Sequence, residues 1–224
     1  MNAPSPARPG GTHPGDTALA ARLRREIDGE VLFDAASRGR YSTDASIYQI
    51  EPLGVVIPRT EEAARTALAI AMGERVPVLP RGAGSSQCGQ TVGAALVIDD
   101  SKYLNRLLEV DAAERRAVVQ PGVVLDALNA QLRPHGLWFP VDVSTSAQAT
   151  LGGMAGNNSC GSRSIAYGNM VHNVLAIDAL TAAGERWRFG PLHERAGPPA
   201  YLELVQRLGA LYEREKAEIA ARFP

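Results

Sequence analysis

The sequence predicts an α+β fold divided into two subdomains. An apolar segment at 53–57, an amphipathic stretch at 60–73 and a second apolar segment at 76–79 form a β–α–β unit, whose two strands are expected to be parallel. Further along, short apolar segments separated by turn residues indicate more strands and a hairpin. A mixture of helix–strand alternation and hairpins is typical of the α+β class. We place the boundary between the subdomains near residues 104–110.

The first part of the chain carries clear signals for helix formation. Residues 17–27 have apolar positions at helical spacing, whereas 41–49 has the composition of a loop with aromatic anchors. Thr60 is a suitable helix cap, and two glutamates follow it in the first turn, where the helix dipole favours acidic side chains.

The second part of the chain alternates short apolar runs with turn residues. We predict strands at 95–98, 107–110 and 116–120 in this part. A hairpin of 174–180 with 185–189 and a last helix from about residue 199 follow. Pro121 and Gly122 introduce a helix whose leucines recur at helical spacing until Pro134 stops it. In the second strand of the hairpin, Trp187 and Phe189 share one face because successive side chains alternate.

Length, charge and composition restrict the classes of function. The 224 residues are 45% hydrophobic, which allows a packed core in one large domain or two small ones. A net charge of −1 argues against nucleic acid or an anionic membrane surface as the main partner. No apolar run suits a membrane span, and residues 1–16 are expected to be a disordered tail rather than a signal peptide. We therefore expect a cytoplasmic protein.

A glycine-rich loop, Pro-Arg-Gly-Ala-Gly-Ser-Ser-Gln-Cys-Gly-Gln at 80–90, follows the second strand of the β–α–β unit. Glycine allows positive φ angles, and successive backbone N–H groups in such turns bind anions. The spacing is not that of a Rossmann fingerprint, since Gln87 replaces the third glycine and a strand follows instead of a helix. The Gly-Lys-Ser/Thr of a P-loop is also missing. A β-turn loop without a ligand is the alternative interpretation.

A second loop rich in small residues spans 144–161 and continues to 169. Between Val143 and Val171 the only charged side chain is Arg163, although surface turns normally carry more charge. Long loops in compact domains are usually functional or disordered, and this one has too few charges for a disordered segment. An irregular core loop that needs glycine for packing is the alternative. Together the two loops predict walls for one extended, anionic, partly apolar ligand such as a dinucleotide.

The sequence shows no metal site and no catalytic constellation. The histidines are His13, His135, His172 and His193, and none has a partner at metal-ligand spacing. Cys88 and Cys160 each lie inside a glycine loop and are interpreted as small reduced thiols. Asp99 and Asp100 have no recognisable partner for acid–base work, and Asp142 is assigned a turn-capping role.

Several motifs, in order along the chain, resemble the FAD-binding domain of the vanillyl-alcohol oxidase/p-cresol methylhydroxylase superfamily. They are Leu-Pro-Arg-Gly-Ala-Gly-Ser-Ser at 79–86, Val-Gln-Pro-Gly-Val at 119–123, Thr-Leu-Gly-Gly at 150–153, Asn-Asn-Ser-Cys-Gly at 157–161 and Tyr-Gly at 167–168. The resemblance is strongest to FAD-linked 2-hydroxyacid dehydrogenases of the D-lactate dehydrogenase and glycolate oxidase flavin-subunit type. Residues 41–49 also resemble the segment that leads into the FAD domain of large enzymes with an appended iron–sulfur domain.

This resemblance implies a two-subdomain FAD-binding fold of the p-cresol methylhydroxylase type. The first loop would hold the FAD diphosphate through backbone amides, and the second would line the ribityl chain and the isoalloxazine ring. Some relatives attach FAD through a histidine in the first loop, but Ser85 and Ser86 stand in that region here, which implies non-covalent FAD. The implied cofactor-binding residues are Arg81, Gly82, Ala83, Gly84, Ser85, Ser86, Gly89, Gln90, Ser144, Thr145, Thr150, Gly152, Gly153, Asn157, Gly161, Tyr167 and Ile177.

The resemblance also implies a domain organisation and a function. A tail (1–16) and an N-terminal helix with the lead-in segment (17–50) would precede an FAD-binding domain at 51–224, with subdomains at about 51–105 and 106–224 and no cap domain. The chain would be a fragment or partial subunit of an oxidoreductase acting on a 2-hydroxy acid such as D-lactate, glycolate or D-2-hydroxyglutarate. An iron–sulfur domain or subunit is a candidate partner. The alternatives are a non-catalytic flavin or nucleotide carrier and an unliganded remnant.

Overall fold

A computed structural model describes residues 17–191 and 197–223 of the chain, which divides into two units between Asn173 and Val174. The predicted tail at 1–16 lies outside the described residues. Within the described residues, no helix is both long and apolar enough to cross a membrane.

A four-stranded sheet with the strand order β1-β2-β4-β3 organises the first unit. Its strands are β1 (Gly29–Leu32), β2 (Gly54–Pro58), β3 (Val78–Arg81) and β4 (Leu96–Asp99). Both β2 and β3 pair with β4 in parallel, whereas β1 pairs with β2 in antiparallel fashion. The predicted parallel relation of the β–α–β strands is therefore confirmed, with β4 inserted between them.

Both faces of this sheet are buried. Alternate residues of a strand point to opposite faces, so Val55 and Val56 belong to different clusters. The cluster against the helices contains Ala20, Leu23, Val56, Ala67, Leu96 and Ile98. The opposite cluster contains Val55, Ile57 and Val97, with Leu32, Tyr41, Leu79 and Tyr103 packed against it. Burial on both faces explains why β2 and β4 are unbroken apolar runs in the sequence.

Three helices accompany this sheet: α1 (Ala18–Glu26), α2 (Ala35–Tyr41) and α3 (Glu61–Gly73). The predicted cap at Thr60 is confirmed, since its side chain accepts a hydrogen bond from Ala63 N at 3.1 Å. Thr17, which the sequence analysis did not assign as a cap, accepts one from Ala20 N at 3.1 Å.

The sequence analysis missed β1 and α2. The first is a four-residue strand at the sheet edge, and the second contains Gly39 and lacks an apolar stripe, so neither shows a periodic pattern. The available signal was Asp34, whose carboxylate caps α2 by accepting a hydrogen bond from Ser37 N at 2.8 Å.

The rest of the first unit consists of a strand pair and short helices. They are β5 (Leu107–Asp111), β6 (Arg116–Val119), α4 (Leu125–Leu132), α5 (Leu151–Gly156), α6 (Ser164–Tyr167) and α7 (Met170–Asn173). A 3₁₀ turn at Arg133–His135 follows α4, in agreement with the predicted stop at Pro134. The subdomain boundary predicted near 104–110 falls inside this unit, where the range overlaps β5, and it stays a prediction.

The second unit contains the predicted hairpin and the last helix. Its elements are β7 (Ile177–Leu180), β8 (Arg186–Phe189) and α8 (Pro199–Arg222). Trp187 and Phe189 both contact the ring of Tyr201, with centroids 5.8 and 5.6 Å apart, which confirms that they share one face of β8.

Candidate functional site

The first glycine loop leaves the sheet at the carboxyl ends of its parallel strands. Arg81, the last residue of β3, pairs with Asp99, the last residue of β4. In open sheets of parallel strands, ligands bind beyond this edge. The strand that precedes the loop therefore delivers it to the side of the sheet where a ligand is expected.

The backbone of the first loop is arranged to accept an anion. Gly84 and Gly89 have φ angles of 66° and 79°, in the left-handed region that favours glycine. Within the described chain, the consecutive backbone N–H groups of residues 83–86 donate no hydrogen bond. The loop at 81–90 also contains no acidic side chain. Phosphate oxygens suit such a row of donors.

The two glycine loops contact each other at the start of α5. A Cβ atom placed on Gly82 would lie 2.1 Å from Oγ1 of Thr150, so a side chain at this position is incompatible with the contact. Thr150 is 2% exposed and caps α5 by accepting a hydrogen bond from Gly153 N at 3.3 Å. The sequence predicted that these loops share a ligand, and the structure places Gly82 of the first loop against the Thr150 side chain of the second.

A second contact joins the far ends of the loops. Gln90 donates from Nε2 to Oδ1 of Asn157 at 3.2 Å, and its Oε1 accepts a hydrogen bond from the Ser86 hydroxyl. Asn157 ends α5, so both ends of this helix are attached to the first loop. Three predicted cofactor-binding residues thus form one chain of side-chain hydrogen bonds.

The Val-Gln-Pro-Gly-Val motif packs beneath the second loop. Leu151 N donates to Val123 O and Gly152 N donates to Pro121 O, each at 2.8 Å. A Cβ on Gly152 would lie 2.7 Å from that of Pro121, so Gly152 is required for close packing. Pro121 and Gly122 form a turn, and α4 begins only at Leu125, three residues after Gly122, with no side-chain cap.

Asp142 holds the later part of the second loop in place. Its carboxylate accepts hydrogen bonds from Ser162 Oγ at 2.7 Å and Arg163 N at 3.0 Å, which lower the pKa of Asp142 below its usual range. A Cβ on Gly161 would lie 2.2 Å from Oδ1 of Asp142, so this glycine is required for the contact. The predicted capping role is right in kind, but the turn that Asp142 caps lies about twenty residues further along the chain.

An aromatic cluster lies beside this turn. The rings of Tyr167 and Trp138 make an edge-to-face contact with centroids 5.3 Å apart, and the Arg163 guanidinium lies 5.2 Å from the Trp138 ring centroid. His172 accepts a hydrogen bond at Nδ1 from Asn169 N at 3.0 Å. One imidazole nitrogen is therefore occupied by the chain's own backbone.

Three predicted site residues, Ser144, Thr145 and Ile177, make none of the contacts described above. Ser144 is exposed, and Thr145 begins a turn in which its carbonyl accepts hydrogen bonds from Gln148 N and Ala149 N. Ile177 lies on β7 in the second unit. Their contacts with a ligand stay predictions.

Two adjacent carboxylates lie where β4 ends. Asp99 is buried and accepts hydrogen bonds from Tyr41 Oη at 2.6 Å and from Ser101 N and Oγ at 2.8 and 2.6 Å. Burial raises the pKa of Asp100 to about 7, and the neighbouring charge of Asp99 adds to this effect. The sequence analysis had given Asp99 no partner, and Tyr41 could not be found in this way because it lies 58 residues away on α2.

The raised pKa of Asp100 predicts a pH-dependent stability. Unfolded, the carboxyl has a pKa of about 3.9, so between about pH 4 and pH 7 the folded state holds a proton that the unfolded state releases. The stabilisation by this proton is complete below pH 4 and is lost as the pH rises through 7. Asp100→Asn should therefore raise the melting temperature at pH 8 and change it little at pH 4.

Asp142→Asn is the matched control, with the opposite sign. Its lowered pKa stabilises the fold above about pH 4, and this stabilisation is lost as the pH falls through the folded-state pKa. This variant should melt below wild type at pH 8, and the difference should shrink under acid conditions. Thermal melts of the three proteins between about pH 2 and pH 8 test both signs, because the stabilisation by Asp142 is lost only below about pH 4. Parallel shifts in the two variants would contradict the assignment.

The sequence profile of the family described as "FAD binding domain" matches residues 52–190, more than half of the chain. The chain belongs to this FAD-binding domain family. The chain is 36% identical over 217 residues to the D-2-hydroxyglutarate dehydrogenase of Pseudomonas putida, a match that covers 92% of this chain and 21% of that protein. It is also 36% identical over 173 residues to the glycolate oxidase subunit GlcD of Bacillus subtilis, which covers 74% of this chain and 36% of that subunit.

The fold of the FAD-binding domain is also found among solved structures. An alkyldihydroxyacetonephosphate synthase structure superposes with a TM-score of 0.71 at 21% identity, covering 83% of this chain and 36% of that chain. The predicted α+β fold of the p-cresol methylhydroxylase type is confirmed. The chain thus spans between about a fifth and a third of the length of these relatives.

Proposed function

We propose that this FAD-binding domain holds its cofactor without a covalent bond, with the diphosphate on the first loop. The observation that carries this placement is the row of four backbone N–H groups at 83–86 that have no partner in the described chain. Backbone donors stabilise a diphosphate without the cost of ordering long side chains. The adjacent second loop, poor in charge and rich in small residues, would receive the flavin part of the molecule.

The residues present fit FAD better than a smaller anion. A lone phosphate would need only the first loop, whereas the contacts at Gly82–Thr150 and Gln90–Asn157 join it to a second wall. FAD, when bound, supplies an acceptor for a hydride or for electrons. The role of this chain is to bind and orient the cofactor, and we assign no catalytic residue to it.

We propose that the whole protein is an oxidoreductase acting on a 2-hydroxy acid such as D-lactate, glycolate or D-2-hydroxyglutarate. The names of the relatives, a D-2-hydroxyglutarate dehydrogenase and a glycolate oxidase subunit, support this class. Residues that bind the substrate carboxylate would come from outside the described chain. An iron–sulfur domain or subunit that accepts electrons, and a cytoplasmic location, belong to the same proposal.

The mode of cofactor attachment can be tested with the purified chain. After reconstitution with FAD and gel filtration, acid precipitation should release yellow flavin into the supernatant, because no bond ties the cofactor to the polypeptide. Absorbance of supernatant and pellet measures the split. Flavin that stays with the precipitated protein, or no binding at micromolar FAD, would contradict the proposal.

The alternative of a flavin carrier without turnover is favoured by one observation. Arg163, the only charged side chain of the second loop, lies with its Nε 3.7 Å from Oδ2 of Asp142 and with its guanidinium over the ring of Trp138. Anaerobic addition of D-lactate, glycolate or D-2-hydroxyglutarate to the FAD-loaded chain distinguishes the two functions. Bleaching of the flavin absorbance would show that this chain contains a complete active site.

A further inference from the structure

The family match begins at residue 52, yet the lead-in segment, residues 41–49, is attached to the first glycine loop. Ala45 N donates to Gly84 O at 3.2 Å. The Thr91 hydroxyl, just beyond the loop, donates to Asp44 Oδ2 at 2.8 Å. A segment outside the family match thus contacts the loop to which we assign the diphosphate.

Arg81 makes the most extensive of these contacts. Its guanidinium donates to the carbonyl oxygens of Tyr41 and Thr91, each at 3.2 Å, and to that of Thr43 at 2.8 Å. It also lies 5.2 Å from the centroid of the Tyr41 ring. These acceptors are neutral carbonyls, so Arg81 keeps a positive charge beside the loop while the three donors face the chain itself. An arginine that bound phosphate directly would need those donors for the ligand.

Gly84 lies directly against this guanidinium. A Cβ on Gly84 would lie 2.3 Å from Nη2 and 2.8 Å from Cζ of Arg81. The three carbonyl partners hold the guanidinium in its place, so it could move away from a methyl group only by breaking hydrogen bonds. The sequence analysis explained the glycines of this loop by positive φ angles and by anion binding through backbone N–H groups. The structure adds, for Gly84, the space that Arg81 occupies.

Gly89, the other glycine of the loop with a positive φ, provides a matched comparison. A Cβ on Gly89 would lie 2.5 Å from the ring of Tyr48, which also belongs to the lead-in segment. Its neighbours do not include Arg81. An alanine at Gly84 or at Gly89 therefore has a similar backbone penalty, but only the first displaces the guanidinium.

We infer that Arg81 is a positioning residue that fastens the lead-in segment to the diphosphate loop, and that this segment is a structural part of the FAD site. The inference rests on the proposed function, because it takes the first loop as the place where the diphosphate binds. Arg81 acts through the conformation of residues 82–90 and through its charge, without direct contact with the cofactor.

A double-mutant cycle tests this inference. Arg81→Ala should weaken FAD binding by more than tenfold, and Arg81→Lys should recover only part of the loss, since an ammonium group has no planar fork for three carbonyls. Gly84→Ala should weaken binding in the wild-type background and much less in the Arg81→Ala background. Gly89→Ala should have the same effect in both backgrounds. Arg65→Ala, which removes an exposed guanidinium paired with Glu62 on α3, is the control for loss of a positive charge.

Two measurements on each variant distinguish an effect on FAD binding from an effect on the lead-in segment. FAD affinity is measured by quenching of flavin fluorescence, and hydrogen exchange measures the protection of the amides at 41–49, with the β5–β6 pair as internal reference. We expect loss of protection at 41–49 in the Arg81→Ala apoprotein, with unchanged protection of the reference strands. Unchanged FAD affinity in Arg81→Ala, or equal effects of Gly84→Ala in both backgrounds, would overturn the inference.

If the proposed function is wrong, the same measurements of FAD affinity and hydrogen exchange give different results. If the wild-type chain binds FAD but none of the loop variants changes affinity, the diphosphate lies elsewhere and both statements are wrong. If wild type binds no FAD, the proposed function is wrong, and unchanged exchange at 41–49 in Arg81→Ala would then reject the positioning role as well. If wild type binds no FAD but Arg81→Ala loses protection at 41–49, Arg81 has only a structural role, and the inference is rejected as well.

Discussion

Gly82→Ala should weaken FAD binding by about a hundredfold, which corresponds to ~2.7 kcal/mol. The added methyl group would overlap with Oγ1 of Thr150 at 2.1 Å, and Thr150 is buried and caps α5, so its side chain has no room to move. The two loops would have to separate, and a ligand that contacts both would lose the surface of one. Isothermal titration of the apoprotein with FAD measures the effect.

Two further variants provide a control and a rescue for this experiment. Gly156→Ala lies on the same short helix, but its Cβ would meet no atom within 4 Å, so its FAD affinity should equal that of wild type. Replacement of Thr150 by alanine in the Gly82→Ala background removes the overlapping hydroxyl and should restore part of the affinity. Wild-type affinity in Gly82→Ala would show that the contact between the loops is irrelevant to the cofactor.

Gly122→Ala should strongly destabilise the fold. Its Cβ would lie 2.3 Å from Asp100 O, 2.7 Å from Leu104 O and 2.9 Å from Ser101 Cα. All three neighbours are backbone atoms, which cannot rotate away as a side chain can. We expect a loss of about 2–4 kcal/mol in the free energy of unfolding, within the range of severe single substitutions, and a fall of roughly 4–16 °C in melting temperature.

The control for this prediction is a glycine in open space. Gly39→Ala, within α2, meets no atom within 4 Å and should leave stability unchanged or raise it by about 0.5–1 kcal/mol, since alanine favours a helix over glycine. Thermal and urea unfolding of both variants measure the difference. A melting temperature for Gly122→Ala close to that of wild type would mean that the turn at residues 100–104 shifts freely, contrary to its hydrogen bond from Gly122 N to Leu104 O.

The sequence predicted those parts of the fold that carry their own local signal. Helix α3 has a capping threonine and two glutamates in its first turn, and β2 and β4 are unbroken apolar runs, so each could be located within two residues. Strand β1 and helix α2 have no such pattern. The antiparallel pairing of β1 with β2 depends on packing across 22 or more residues of chain, which periodicity does not encode.

The candidate site, like the fold, could be predicted from the sequence only in part. The glycine content of the two loops, and their low charge, predicted that they share one ligand. The residues that hold the loops in place could not be predicted in this way, because the partners of Arg81, Asp142 and Thr150 lie between 10 and about 70 residues away in sequence. Side-chain chemistry indicated which residues are polar, but only the folded chain shows that Arg81 faces backbone carbonyls.

The pairing of β1 with β2 has a practical consequence for anyone who prepares this domain. A shortened protein that begins at residue 52, where the family match begins, would lack β1 and leave β2 at the border of the sheet. Its backbone donors and acceptors along Gly54–Pro58 would face solvent in an apolar strand, a surface that recruits strands from other molecules. Such a preparation should form aggregates for a reason unrelated to the cofactor, and its failure to bind FAD would be no test of the glycine loops.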